Sequence, residues 1–457
     1  MSSTVFELIM KRKVLVSKII HIQKRTYIKM KKNYYQTSVN TGDGHHIHVN
    51  FMNMGFLVLT EELHRLYEDT PDMNSLREKN QRLYDMLAAN GFIIEDGINE
   101  LEQIRYIKET EKYDQSLYHL IVNPTLDCNL SCWYCYEKKV KGSYMPNHVV
   151  EAVKKNIELH DREKPFSTLK LSFFGGEPFM KSDVIRELSS HADTYCRSRG
   201  KKLILDFTTN GSLIKASDLS VLASNRCMFQ ITLDGDREQH NKIKFVHGRT
   251  LDTFQATCNN IHAILDTIPD SYVFVRINFD RHTLDNFDEI LGQIEDLDRK
   301  RVTVILKKVW QVNAEEIDKE QLIGIIQRLL DDGFVVDYYT QGKLCFGERD
   351  NEAVVNYDGN VFKCTTIDDF CKENAFGAID MESGRIDWDM SKLPIVAYDL
   401  TRDRCRKCRL YPSCYGPCTL HLMAGDDSCY LNEINLTLSE YVMFMYKNEL
   451  NRIKAYK

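Results

Sequence analysis

From residue 116 onward, short apolar runs alternate with stretches in which apolar residues recur every three or four positions. The runs are Tyr118–Val122, Leu169–Phe174, Leu203–Thr208, Phe229–Leu233, Val273–Phe279 and Val302–Leu306, and their length and composition predict strands. Helical periods occupy Asn147–Leu159, Asp183–Arg197, Ala216–Leu222, Thr253–Leu265, Asn286–Leu297 and Glu315–Leu330. Six strand–helix units in series predict a parallel sheet with right-handed crossovers. They are too few for a closed eight-unit barrel.

Residues 45–96 carry a different pattern. His46–Val49 alternates as a strand does, Asn53–Gly55 marks a turn, and Phe56–Leu59 returns. Thr60 caps a helix through Tyr67, with Glu61 and Glu62 suited to its positive end; Leu63 rules out a capping box. Leu76–Ala89 has a helical period, Asn90-Gly91 ends it, and Phe92–Ile94 is a third strand. The expected organisation is a basic leader over 1–32, a small α+β unit over 33–115, the strand–helix series over 116–335, a cysteine-rich segment over 336–440 and a helix over 441–457. The leader reads as a frayed, disordered tail or an over-extended start ahead of Met30; the functional alternative is a peptide- or membrane-binding arm.

A chain of 457 residues with 43% apolar content fits two or three domains with a full core. A net charge of −6 gives no general attraction to nucleic acid or anionic membrane. No run reaches membrane-spanning length, and the apolar Val5–Met10 is too short for a signal peptide and precedes the basic residues. A cytoplasmic location is expected. Fourteen cysteines do not suit a disulfide framework in a chain of this size. Ten fall into two spaced arrays, Cys196 and Cys371 are scattered, and Cys227 and Cys258 sit in apolar contexts that read as core.

The first array is Cys128, Cys132 and Cys135, spaced C-x3-C-x2-C directly after the first strand of the series. Three thiolates on one loop can hold three corners of a [4Fe–4S] cubane and leave one iron open, where a fourth would close it. Phe174-Gly175-Gly176-Glu177-Pro178 follows the second strand, and its glycines allow close backbone approach to a ligand. Thr208-Thr209-Asn210-Gly211 ends the third strand, either as a polar ligand contact or as a plain strand-to-helix turn. Ile231-Thr232-Leu233-Asp234-Gly235 ends the fourth, followed by His240 and Lys244. These motifs share the strand ends at which barrels of this kind carry their active sites. The second array runs Cys345, Gly359, Cys364, then Cys405-x2-Cys408-x5-Cys414-x3-Cys418, then Cys429. Seven thiolates on turn-rich sequence suit zinc or iron–sulfur; zinc, at four per site, would leave three spare.

On these residues the chain resembles the radical S-adenosylmethionine (SAM) superfamily with a C-terminal SPASM extension, in particular its peptide (RiPP) maturases and anaerobic sulfatase-maturating enzymes. The resemblance implies an α/β fold: a partial (β/α)6 TIM-like barrel, a small N-terminal α+β (winged-helix-like) domain and a cysteine-rich SPASM domain. It implies that Cys128, Cys132 and Cys135 hold a [4Fe–4S] cluster whose open iron chelates SAM, which the reduced cluster cleaves to a 5′-deoxyadenosyl radical. Gly175, Gly176 and Glu177 match the family's G-G-E motif at the methionyl end of SAM. Tyr134 matches an aromatic near adenine, Asn210 the T-N-G turn, and Thr232 a SAM contact. Lys244 stands where relatives carry an arginine; it can neutralise the SAM carboxylate as a point charge but cannot grip it with two planar bonds, and Arg249 is the alternative.

Two auxiliary [4Fe–4S] clusters are implied, one closed by Cys405, Cys408, Cys414 and Cys429, the other held by Cys345, Cys364 and Cys418. Asp350 or Cys371 completes the latter, or one iron stays open for substrate. Sulfatase-maturating relatives carry an aspartate directly after the second SPASM cysteine as a base; here Thr365 and Thr366 follow Cys364, and Asp368 and Asp369 are the candidate bases. The small α+β unit resembles a peptide-recognition domain, with a packing appendage as the alternative.

The expected function is oxidative modification of a ribosomally made peptide by a thioether or carbon–carbon crosslink. The alternatives are formylglycine formation in a sulfatase and a non-catalytic iron–sulfur regulatory protein. The expected partners are a precursor peptide or protein substrate and an electron donor such as flavodoxin or ferredoxin, with no nucleic acid and no membrane.

Overall fold

A computed structural model describes residues 29–245, 251–309, 311–312, 317–338, 344–367, 369–392, 402–418, 422, 425, 429, 431 and 435–456. Arg249, Glu315 and Asp368 lie outside the described residues, as does nearly all of the basic leader. Two compact units emerge. One gathers the described residues of Met1–Thr110 and Asp399–Lys457, the other those of Glu111–Tyr339 and Leu344–Tyr398. The cysteine-rich segment expected over 336–440 is therefore shared: Cys345 and Cys364 fall in the second unit, and Cys405, Cys408, Cys414, Cys418 and Cys429 in the first.

The first unit holds strands Met30–Lys32 (β1), Gln36–Asn40 (β2), His45–Asn50 (β3), Gly55–Thr60 (β4) and Ile93–Glu95 (β5). β2, β3 and β4 form an antiparallel sheet, and β1 pairs antiparallel with β5. The helix Glu61–Glu68 starts as expected, with Thr60 Oγ1 accepting from the Leu63 N–H at 3.4 Å. The single helix expected over Leu76–Ala89 is two, Met73–Lys79 and Gln81–Ala89. Asn80 breaks it because its side chain caps the second helix, accepting from the Leu83 N–H at 2.9 Å. Leu59, Tyr67, Met73, Leu76, Leu83, Leu87, Phe92 and Ile93 make the core. The C-terminal helix runs Leu438–Ala455 behind a capping box of Thr437 and Glu440.

The second unit is built on strands Leu117–Val122 (β6), Thr168–Phe173 (β7), Lys202–Thr209 (β8), Arg226–Thr232 (β9), Ser271–Phe279 (β10), Val302–Lys308 (β11), Val335–Asp337 (β12), Glu352–Val355 (β13), Asn360–Phe362 (β14), Gly377–Ile379 (β15) and Ile386–Trp388 (β16). β6 to β12 lie side by side in chain order and all parallel. All six expected strands are present, with β12 continuing the series. β13 joins the other side of β6, also parallel, and leads into the antiparallel β14–β16. Helices such as Asn147–Glu163, Ser182–Ser198, Ala216–Leu222 and Thr253–Thr267 connect the parallel strands. Cys227 and Cys258 are buried, as their apolar contexts predict.

Across the middle of the sheet, register sets Phe207 beside Phe173 and Phe229. The rings stack with centroids 5.4 and 4.7 Å apart. Removing the central ring leaves a cavity on the buried face of β8, where Phe207 is wholly enclosed. Phe207→Ala is expected to cost about 3–5 kcal/mol, read as a lower urea midpoint with an unchanged slope.

Candidate functional site

β6 delivers the chain into the loop that carries Cys128, Cys132 and Cys135. The loop's root is fastened first. Thr125 bridges Tyr144, and the Leu126 N–H donates to Ser143 Oγ at 2.9 Å. Asp127 accepts from the Cys128 N–H at 2.8 Å and the Gly142 N–H at 2.9 Å. Lys139 Nζ donates to the Leu130 carbonyl at 2.6 Å. The three thiols are not disulfide-bonded, and Cys132 lies within electrostatic reach of the other two. Burial pushes the Cys128 thiol up to about 12, with the Glu177 carboxylate adding to the rise. A buried thiolate in such surroundings needs a bound cation to stay deprotonated. Three unpaired thiols on one anchored loop fit a cluster held at three corners.

The turn after β7 grips that loop. A Cβ on Gly175 (φ +95°) would stand 2.3 Å from the Thr125 carbonyl oxygen, and one on Gly176 2.3 Å from that of Asp127. The Gly176 and Glu177 N–H groups donate to those same carbonyls at 3.1 and 2.9 Å. The close approach that glycine allows here is to the root of the cysteine loop. Glu177, wholly buried, accepts from the Phe179 N–H at 3.0 Å, Thr209 Oγ1 at 2.7 Å and the Asn210 N–H at 2.8 Å. Burial raises its pKa while these bonds pull it back. Asn210 Nδ2 in turn donates to Asn129 Oδ1 at 2.9 Å, inside the cysteine loop. The end of β7 is thus bonded to the root of the thiol loop, and the end of β8 to the segment between its first two thiols.

The end of β9 supplies a buried ion pair. Lys244, 1% exposed, donates to the Thr232 carbonyl at 2.6 Å and to Thr232 Oγ1, and its Nζ lies 3.3 Å from Asp234 Oδ2. These three contacts match its three N–H donors. Asp234 accepts from the Asn278 N–H at 3.1 Å, from Asn278 Nδ2 at 3.0 Å and from the Tyr134 hydroxyl. Burial works to raise the Asp234 pKa, but the Lys244 charge, with the hydrogen bonds from Tyr134 and Asn278, outweighs it, and the carboxyl is held below its ordinary value. His240 is neutral, its pKa pushed by burial to about 3, and its Nδ1 accepts from the Asp234 N–H at 3.1 Å. Burial keeps Tyr134 protonated, and its carbonyl accepts from Gln311 Nε2 at 3.0 Å. Tyr134 and Lys244 therefore converge on one carboxylate, and Thr232 holds the lysine from its other side. Asp234 had only its place in the Thr-Leu-Asp-Gly turn to mark it.

Within the same unit the loop of Cys135 meets the loop of Cys364. The Tyr136 hydroxyl donates to the Thr365 carbonyl at 3.3 Å, and both thiols act electrostatically on that hydroxyl. Lys138 Nζ pairs with Asp369 Oδ2 at 2.9 Å, so one candidate base carries a counter-ion. Asp350 is engaged by Lys164 Nζ and Gln115 Nε2, each at 3.0 Å. In the other unit, Cys405, Cys408, Cys414 and Cys429 act electrostatically on one another. These are the four expected to close one auxiliary cluster.

Breaking the buried pair on one side is costlier than replacing both partners. Lys244→Met is expected to destabilise by about 3 kcal/mol, and the double variant Lys244→Met/Asp234→Asn to recover most of that loss. Denaturant titration of the two variants against the parent checks the difference.

Residues 122–294 match the family described as the radical SAM superfamily. A cysteine-type anaerobic sulfatase-maturating enzyme of Clostridium novyi (strain NT) is 24% identical over 345 residues, covering 66% of this chain and 88% of that protein. A protein of the same description from Clostridium perfringens (strain 13 / Type A) is 28% identical over 130 residues, a match that covers 27% of this chain and spans 34% of the relative's length. A solved structure of anSMEcpe with bound AdoMet superposes with a TM-score of 0.52 at 18% identity, covering 74% of this chain and 97% of that one. At that identity the likeness speaks for the fold, a large parallel sheet with the same layout. The matched span begins at the last residue of β6 and contains the three-thiol loop and the strand ends that hold it. Residues 122–294 are therefore a radical SAM domain.

Proposed function

We propose that the chain is a peptide maturase that forms a thioether or carbon–carbon crosslink in a ribosomally made peptide. Bound to Cys128, Cys132 and Cys135, a [4Fe–4S] cluster with SAM supplies a 5′-deoxyadenosyl radical able to take a hydrogen atom from an unactivated C–H bond. The chain's own residues have the positioning work. Gly176, Glu177 and Asn210 keep the thiol loop at the strand ends. Lys244, its three donors taken by Thr232 and Asp234, acts toward the carboxylate of SAM only as a charge beside Cys132 and not as a hydrogen-bond donor. The auxiliary cysteines, Cys345, Cys364, Cys405, Cys408, Cys414, Cys418 and Cys429, would hold two further clusters, which would supply an acceptor for the electron a substrate radical must lose. The proposed reductant is an electron donor of the flavodoxin or ferredoxin type.

The observation that carries the peptide reading is at Cys364. Thr365 follows it, in the place where sulfatase-maturating relatives have a basic aspartate, and its carbonyl is bonded to Tyr136. Asp369 is tied to Lys138 and Asp368 remains the other candidate base. The small α+β segment over 33–115, ahead of the strand–helix series in sequence, is suited to recognise the peptide. The second reading, formylglycine formation in a sulfatase, is favoured by the two clostridial relatives, both of which bear that description.

Co-expression with candidate precursor peptides, followed by mass spectrometry and sequencing of the product, separates the two. The peptide reading predicts loss of two hydrogens per modified site with a crosslinked fragment pattern. A sulfatase-derived peptide converted to formylglycine, with precursor peptides untouched, overturns it. Anaerobic incubation with SAM and dithionite is also expected to yield 5′-deoxyadenosine, and Cys132→Ala to abolish that yield while most auxiliary iron is retained. Unchanged yield in Cys132→Ala would refute the assignment of the three thiols.

A further inference from the structure

The first unit carries a donor cluster that the iron chemistry does not use. Because side chains alternate along a strand, His46 and His48 of β3 share one face. The helix Glu61–Glu68 contributes His64 and, one turn further, Glu68. His48 Nε2 lies 3.0 Å from His64 Nδ1, and the donor atoms of His48, His64 and Glu68 all lie within 4.8 Å of one another. His48 is 1% exposed, walled by the rings of Tyr67 and Phe92 at 5.7 and 6.2 Å. His46 stacks on His64 with centroids 3.6 Å apart, and its Nε2 meets Glu61 Oε2 at 2.6 Å. The His64 ring is thereby held in plane between β3 and its own helix. A hydrogen bond between two imidazoles accounts for the His48–His64 contact. The Glu68 carboxylate, ion-paired with Lys32, reaches the same point as a third donor.

We propose that His48, His64 and Glu68 bind a divalent transition-metal ion of the zinc type, which staples β3 to the helix Glu61–Glu68. Two imidazoles and one carboxylate are an established zinc donor set and leave a coordination position to solvent. An opposing charge stands close by: Lys32 Nζ is 3.4 Å from Glu68 Oε2 and 4.4 Å from the centre of the Tyr67 ring. Lys32 competes with the ion for the carboxylate, which gives the proposal a second handle.

The test uses untagged full-length protein with its iron–sulfur clusters reconstituted, so that the thiols are occupied. The protein is incubated with zinc chloride, desalted, and its zinc examined by metal analysis and X-ray absorption. The expected result is one retained zinc per chain with a nitrogen/oxygen shell at about 2.0–2.1 Å. Glu68→Gln, which alters neither core nor volume, and His64→Ala should each weaken retention by about tenfold or more. Lys32→Met should strengthen it, and iron content should not change in any of the three. Zinc with a sulfur shell at about 2.3 Å, no retained zinc, or a nitrogen/oxygen-bound zinc indifferent to Glu68→Gln and His64→Ala would each overturn the proposal.

Discussion

The backbone contact between Gly175–Glu177 and Thr125–Asp127 governs where the three thiols stand. Two carbonyls of the cysteine loop's root sit so close to the turn after β7 that a side chain on either glycine would strike them. The same turn then delivers Glu177 into the interior, where three donors from the ends of β7 and β8 hold its carboxylate. Asn210 closes the circuit by bonding Asn129 between the first and second thiols. A loop of this length would otherwise sample many shapes, and ordering each residue costs about 1–2 kcal/mol. The parallel sheet offsets that cost because it brings consecutive strand ends to one rim.

The second organising feature is a buried charge answered in place. A wholly buried carboxylate at the end of β9 is tolerable only if paired and hydrogen-bonded. Asp234 is both, through Lys244, Asn278 and Tyr134. Tyr134 immediately precedes Cys135, so the ion pair also fixes the far end of the thiol loop. A lysine where relatives carry arginine is compatible with this arrangement. Its compact ammonium reaches the Thr232 carbonyl, the Thr232 hydroxyl and the carboxylate together.

Much of the sheet was legible because its parallel strands, covered by helices, read as short apolar runs. β12 escaped notice at three residues, and β13 because it opens on a glutamate. That Glu352 is buried and lies 3.2 Å from His119 Nδ1, a long-range contact that a hydropathy pattern cannot express. β1 and β2 carry lysines, glutamine, threonine, serine and asparagine, with little apolar signal to find. The break at Asn80 was hidden because the apolar period continues through it. The thiol loop was legible from spacing alone, since chelation depends on neighbours in sequence. Asp234 was not, because its meaning lies in Tyr134 and Asn278, each far from it along the chain.

The central claim is that the thiols of Cys128, Cys132 and Cys135 hold a cluster with one iron left open to SAM. Electron paramagnetic resonance of the dithionite-reduced, cluster-loaded protein, recorded with and without SAM, tests it most directly. The account predicts that one of the cluster signals changes on adding SAM, and that this signal is the one lost when the three cysteines are replaced together by alanine. A spectrum that SAM leaves untouched, or a SAM-sensitive signal that survives their replacement, would contradict it.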